Sequence, residues 1–146
     1  MNWKTEAVGK LRRYDAMQRS MVNIPQEICR LREESTALKS GLAVCPTGSR
    51  DVRRREDVLL DNLVTRQQLQ WSLTQAQNWT QTVNRALASL DPEERLILQQ
   101  LYVLPQAGAL ERLSEKLGIE KSSMYRRRDK ALQKFTLSLY GEEESN

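Results

Sequence analysis

The 146-residue sequence predicts an all-α fold, a long antiparallel helical hairpin over residues 1–90 followed by a helix-turn-helix domain over 91–140. Three observations carry that reading. Six Gly and four Pro are too few for many short strands and tight turns, and only eight residues are aromatic (one Phe, three Trp, four Tyr). Apolar residues recur at helical spacing along most of residues 3–90. Nearer the C-terminus, two shorter helical patterns flank a lone glycine, Gly118.

The first helix follows from a 4,3 spacing: Trp3, Ala7, Lys10, Tyr14, Met17, Met21, Ile24, Ile28, Leu31, Ser35, Leu38 and Leu42. Such a seam belongs to a helix packed along its length and not to a strand. Pro25 interrupts it. An internal proline removes one backbone hydrogen bond, so a kink, or a restart capped near Asn23, is expected around 22–25. Because the seam keeps its phase across Pro25, one bent helix fits better than two unrelated ones.

Residues 41–50 (GLAVCPTGSR) read as a linker rich in helix breakers. A second long helix follows from Asp51 to Leu90, with Leu59, Leu63, Leu69, Leu73, Ala76, Trp79, Val83, Leu87 and Leu90 on its stripe. Two long helices joined by a short loop form an antiparallel hairpin. The glutamines Gln67, Gln68, Gln70, Gln75, Gln77 and Gln81 belong on its solvent side. Trp71 falls off the stripe, which suits contact with a second chain or plain exposure. The hairpin is therefore the candidate element for homo-oligomer formation.

Asp91 can cap the next helix, with Pro92 at its first position and Glu93 and Glu94 at the positive end of its dipole. That helix is expected to reach Val103. Pro105 and Gly108 break the chain before a short helix from Ala109 to Leu117, and a last helix runs from Glu120 to Leu139. An acidic tail, 141–146, carries Glu142, Glu143 and Glu144.

Composition excludes several functions. With no histidine, there is no Ser-His-Asp or Cys-His arrangement and no His-containing zinc site. Cys29 and Cys45 cannot complete a four-ligand metal centre and read as free thiols of a reducing compartment. No Gly-rich phosphate loop and no paired-carboxylate cluster is present, so neither enzyme activity nor a cofactor or metal is expected. The N-terminal stretch Met-Asn-Trp-Lys-Thr-Glu has no signal-peptide apolar run, and no segment approaches the ~20 apolar residues of a membrane span. A cytoplasmic protein that does not enter a membrane is expected.

The net charge of +4 and the pI near 9.3 accord with a polyanionic partner. The distribution says more: Lys121, Arg126, Arg127, Arg128, Lys130 and Lys134 face only Asp129 between 121 and 134. A basic helix is the footprint of a nucleic-acid face, although the same charges also suit a solvated helix flank. In the helix-turn-helix read from 110–135, Leu113, Leu117, Ile119, Met124, Ala131, Leu132 and Phe135 form the buried face. Small Ser114 allows the two helices to approach. Lys121, Ser122, Ser123, Tyr125 and Arg126 are left at the start of the second helix, as hydroxyls and long cations able to reach base edges and phosphates.

Leu87 and Leu90, then Glu94-Arg95-Leu96-Ile97-Leu98, Tyr102, Leu117-Gly118-Ile119 and Arg128-Asp129-Lys130-Ala131-Leu132, resemble region four of bacterial sigma factors. With the preceding hairpin, the chain is similar to small phage and prophage transcriptional regulators of the autolysin-regulator type, ArpU-like and RinA-like. The resemblance implies a sequence-specific DNA-binding regulator acting in the cytoplasm of a bacterial host. Its partners would be double-stranded DNA, read by the second helix in the major groove, and RNA polymerase. Carried over by position, Lys121, Ser122, Tyr125 and Arg126 face bases, with Ser123 and Arg128 nearer the backbone. Lys130 and Lys134, further along, are expected to meet phosphates. Three departures stand out: the stretch from Tyr102 to Leu113 is about two residues longer than the usual pattern, Arg127 replaces an apolar core residue, and Glu120 replaces a Ser or Thr cap. Two other readings compete: a small-terminase-like DNA-recognition subunit of a phage packaging machine, and a helical interaction protein without a DNA role.

Overall fold

The computed structural model describes residues 2–44 and 49–141, and among them there is no strand. The helices are α1 (Trp3–Val44), α2 (Ser49–Ala88), α3 (Pro92–Leu98), α4 (Ala109–Leu117) and α5 (Lys121–Tyr140), with a π-helical turn at Gln99–Val103 after α3. The chain divides into two compact units, Met1–Gln18 with Asn78–Asn146, and Arg19–Gln77.

The seam of α1 holds: every position from Trp3 to Leu38 in the 4,3 series is buried or half-buried. Leu11, beside the half-buried Lys10, is fully buried as well. Helix α1 runs through Pro25 without a restart. Pro25 is exposed, so water can serve the Met21 carbonyl that loses its amide partner. The linker expected over 41–50 is shorter than that, because α1 continues to Val44 and α2 begins at Ser49. Gly41 stays helical since nothing there demands a positive φ. Residues 45–48, Cys45 among them, lie outside the described residues, as do Glu142, Glu143 and Glu144.

In the Arg19–Gln77 unit, Ile28, Leu31 and Ser35 of α1 are buried, as are Asn62, Leu73 and Ala76 of α2. Asn62 Nδ2 donates to the Leu31 carbonyl at 2.8 Å, and its Oδ1 accepts from Arg66 Nε at 2.8 Å. Arg55 donates to the Gly41 carbonyl at 3.3 Å. Leu63 does not belong to the stripe. It is 42% exposed while Asn62 is 7% exposed, because Leu59, Leu69, Leu73 and Ala76 fix a phase that turns 62 and 66 inward. All six glutamines expected on the solvent side are exposed.

In the other unit, one core joins Ala7 and Leu11 of α1, Val83, Ala86 and Leu87 of α2, Leu90, Leu98 of α3, and Ala131, Leu132 and Phe135 of α5. The division therefore does not fall at 90/91, since residues on both sides of that point bury one another. Trp3 stacks on Tyr140 with ring centroids 4.7 Å apart, and Lys10 Nζ sits 5.3 Å from the Tyr140 centroid. Tyr14 donates its hydroxyl hydrogen bond to Asn84 and accepts one from Gln18 at 2.8 Å.

Pro92 starts α3, and the Asp91 amide donates to Glu94 Oε1 at 3.3 Å within a capping box. Arg95 reaches back to the Leu87 and Leu90 carbonyls, both at 3.2 Å, and closes the end of α2. The expected straight run to Val103 instead widens after Leu98, where the Leu104 amide bonds the Gln99 carbonyl five residues back. The extra residue in this turn lets Tyr102 and Val103 meet the main core. Leu96 and Leu101 meet a second cluster of Ile97, Leu113 and Met124.

Candidate nucleic-acid interface

The surface of interest is built by α4, the turn after it and α5. Gly108 and Gly118 flank α4 with φ of 75° and 65°, a left-handed backbone that favours glycine. At its end the Ile119 amide bonds the Ser114 carbonyl at 3.0 Å, and the Gly118 amide bonds that of Glu115 at 3.3 Å. This double closure turns the chain sharply and drops Ile119 onto the second cluster. Ser114 does more than leave room, because its hydroxyl donates to the Ile119 carbonyl and ties the turn to α4. Glu120, with an extended backbone, precedes α5, and its carbonyl accepts from the Met124 amide at 2.9 Å.

The inward side of α5 is then set. Met124 enters the second cluster, while Ala131, Leu132 and Phe135 enter the main core. Thr136 is buried with its hydroxyl on the Leu132 carbonyl at 2.7 Å. At 3.6 residues per turn, the opposite side carries Ser122, Arg126, Lys130 and Gln133 in one exposed stripe. Ser123 is half-buried beside it.

The cations of α5 do not share one situation. Lys121 Nζ lies 3.3 Å from Glu111 of α4. Lys134 Nζ lies 2.9 Å from Glu94 and 4.0 Å from Asp91, and Arg127 pairs with Glu93. Arg128 is 3.1 Å from Asp129, with its guanidinium 5.0 Å from the centroid of the Tyr125 ring. Arg126 and Lys130 have no ionic or hydrogen-bond partner among the described residues. Of the eight residues singled out in the sequence, Ser122, Arg126 and Lys130 thus share the outward stripe. Tyr125 and Arg128 form one stacked pair at its edge, and Lys121 and Lys134 are turned towards carboxylates of α4 and α3.

Electrostatics follow the pairing. Only 12% of the Glu94 side chain is exposed. Burial pushes its carboxyl up, but hydrogen bonds from Lys134 and from the Asp91 amide outweigh burial and hold it below the ordinary 4.5. The same hydrogen bond raises Lys134 above its ordinary 10.5. The backbone amide of Glu111 lowers its own carboxyl, with the Lys121 ammonium adding to that.

Two features of this surface escaped the sequence. Gln133 extends the stripe and was signalled only by its spacing of three from Lys130. The carboxylates at the start of α3, read as dipole partners, also hold Arg127 and Lys134 from α5. Arg127 is 48% exposed and meets Glu93 at the surface.

Among the described residues, no three His, Cys, Asp or Glu side chains gather as metal ligands. No helix there is long and apolar enough to cross a membrane. Cys29 is an exposed free thiol, 3.8 Å from Glu33 Oε1. The chain is thus an all-helical protein whose last helix presents a partly unpaired basic stripe. No family model, no curated protein and no solved structure matches it.

Proposed function

We propose that this chain is a sequence-specific DNA-binding transcriptional regulator of the phage and prophage kind its sequence resembles. On this reading α1 and α2 form an antiparallel hairpin, and α4 and α5 are the two helices of a helix-turn-helix. One observation carries the proposal. Arg126 and Lys130, the two cations of α5 without intramolecular partners, share an exposed stripe with Ser122 and Gln133, just beyond the tight turn at Gly118.

A major groove admits a helix whose outward side chains are long donors and short hydroxyls. Arg126, one turn into α5, offers a guanidinium fork that matches the O6 and N7 acceptors of guanine. Ser122, nearer the helix start, reaches a base edge or a phosphate. Lys130, a turn further along, meets the backbone, where a flexible ammonium suits a point anion. Tyr125 braces Arg128, which fits a phosphate contact at the edge of the stripe. Lys121 and Lys134 join only by exchanging their carboxylate partners for phosphates.

The test begins with selection of a preferred duplex from a random pool, followed by salt titration of binding on that duplex and on a scrambled one. A preferred site bound more tightly, with affinity falling steeply as salt rises, is the expected outcome. Failure to bind any duplex at low salt refutes the proposal.

A further inference from the structure

The Arg19–Gln77 unit leaves a second stripe on α2 uncovered. Leu60, Val64, Gln67 and Trp71 follow a 4,3,4 spacing on the side turned away from the Asn62, Leu69, Leu73 and Ala76 seam. Trp71 is 66% exposed and Leu60 58%, with Val64 and the flanking Leu63 also exposed. A groove lies between Val64 and Trp71, lined by Val64, Gln67, Gln68, Trp71 and Ser72. Four of those five stand at i, i+3, i+4 and i+7, the arrangement that receives one knob from a facing helix.

We propose that the occupant is a second copy of this chain, its α2 running antiparallel to the first. Knob and groove lie on the same stripe, so the face is self-complementary about a two-fold axis, and the charge pattern selects the antiparallel order. Arg50, Asp51, Arg53, Arg54, Arg55, Glu56 and Asp57 crowd the start of α2, whereas no charged residue occurs from Gln67 to Asn84. With Leu60 of the second copy seated in the groove beside Trp71, residues 50–57 of one copy lie opposite the uncharged 71–78 of the other. Val64 then meets Val64 at the two-fold axis. A parallel pair would set Arg53 and Arg54 against their own counterparts, a like-charge contact that costs stability.

The area fits a modest dimer. Leu60, Leu63, Val64 and Trp71 expose roughly 400 Å² per copy, on the usual size of such side chains. That is about half of the ~800 Å² each partner gives to a stable interface, and the stems of Gln67 and Gln68 add to it.

The inference goes beyond the DNA reading, because sedimentation equilibrium of the full chain tests it with no DNA present. The wild type passes from monomer to dimer between nanomolar and high micromolar concentrations. Trp71→Glu and Leu60→Glu each weaken that equilibrium by at least about tenfold, as expected of a charge placed in an interface core. Helicity by circular dichroism stays constant, and Gln81→Glu, exposed and beyond the paired residues 50–78, changes nothing. Should Trp71→Glu lose helicity, Leu60→Glu decides. A wild type monomeric throughout, or two variants that associate like the wild type, overturns the proposal. Orientation is read from single cysteines in a Cys29→Ser, Cys45→Ser background: Val64→Cys yields an oxidised dimer and Arg53→Cys does not. A disulfide through Arg53→Cys, or none through Val64→Cys, overturns the antiparallel order.

Discussion

If α5 reads DNA, the pairing of its cations separates three substitutions that the sequence alone would treat as equivalent. Arg126→Ala removes a side chain with no intramolecular partner, so stability should stay within about 0.5 kcal/mol, as for ordinary surface changes. Its whole effect then falls on binding. Loss of a bidentate guanine contact costs ~1–3 kcal/mol on the preferred duplex, or roughly five- to 150-fold, and little on a scrambled one. Lys130→Ala, equally unpaired, should weaken both duplexes alike and lower the salt slope by about 0.9, the signature of one phosphate. Lys134→Ala differs from both. It strips the ammonium from Glu94, whose side chain is 12% exposed, and leaves that carboxylate with only the Asp91 amide as donor, so urea unfolding should show a stability loss that Arg126→Ala lacks. Its salt slope should change less than that of Lys130→Ala. The assay is a fluorescence-anisotropy salt titration of each variant on both duplexes, with urea unfolding run in parallel. Equal weakening of both duplexes by Arg126→Ala refutes its base-reading role. A larger salt-slope change for Lys134→Ala than for Lys130→Ala refutes the split itself.

Phe135 is fully buried among residues of α1, α2, α3 and α5, so Phe135→Ala should cost ~3–5 kcal/mol in urea unfolding; a loss below about 1 kcal/mol would show that the core is not shared. Glu94 titrates below its ordinary 4.5 in the folded chain, so its contribution is complete above pH 4.5 and falls as acid carries the pH through the depressed value. Lys134 titrates above 10.5, so its share is complete below that pH and is lost as the pH rises through the raised value; Glu94→Gln should flatten both ends of the stability–pH profile, and an unchanged profile counts against the pair. Asn62→Ala, which deletes the hydrogen bond to the Leu31 carbonyl, should lower stability by ~1–2 kcal/mol. Asn62→Leu should raise the melting temperature, because an apolar side chain replaces a polar one in the seam; thermal melts with shifts of the same sign for both would contradict that account.

The helices were legible because their causes are local. The 4,3 series from Trp3 to Leu38 needs only side-chain period to identify its buried face. Asp91-Pro92-Glu93-Glu94 carries its own start signal, and Gly118 its own stop. The misassigned position on α2 shows where local reading ends. Leu63 is the hydrophobic choice at this point of the helix, yet the phase set by Leu59 and Leu69 decides burial, and Asn62 meets its polar needs from the Leu31 carbonyl of α1 and from Arg66, one turn along α2. The π-helical turn after Leu98 was likewise out of reach. No residue type demands it, and its reason lies in two clusters that must be served by one short segment, Leu101 facing one while Tyr102 and Val103 face the other.

The same distinction governs the candidate site. Counting charges from Lys121 to Lys134 gives six cations against one carboxylate, which reads as a uniformly basic helix. Packing brings Glu93 and Glu94 of α3 and Glu111 of α4 against its flanks, and a helix approached by carboxylates on two sides has only its remaining side for an anion. An α5 bearing all six charges freely would attract any polyanion with little regard to sequence. If α5 reads DNA as proposed, neutralising the flanks lowers that indiscriminate term while leaving Arg126 in place to discriminate. Removing the flanking carboxylates should therefore act on the scrambled duplex more than on the preferred one. Glu93→Gln frees Arg127 while leaving the Glu94–Lys134 pair intact, and in the anisotropy titration it should tighten scrambled-duplex binding and narrow the ratio between the two duplexes. A ratio that widens instead would mean that Arg127 itself reads sequence, and that its pairing with Glu93 restrains recognition.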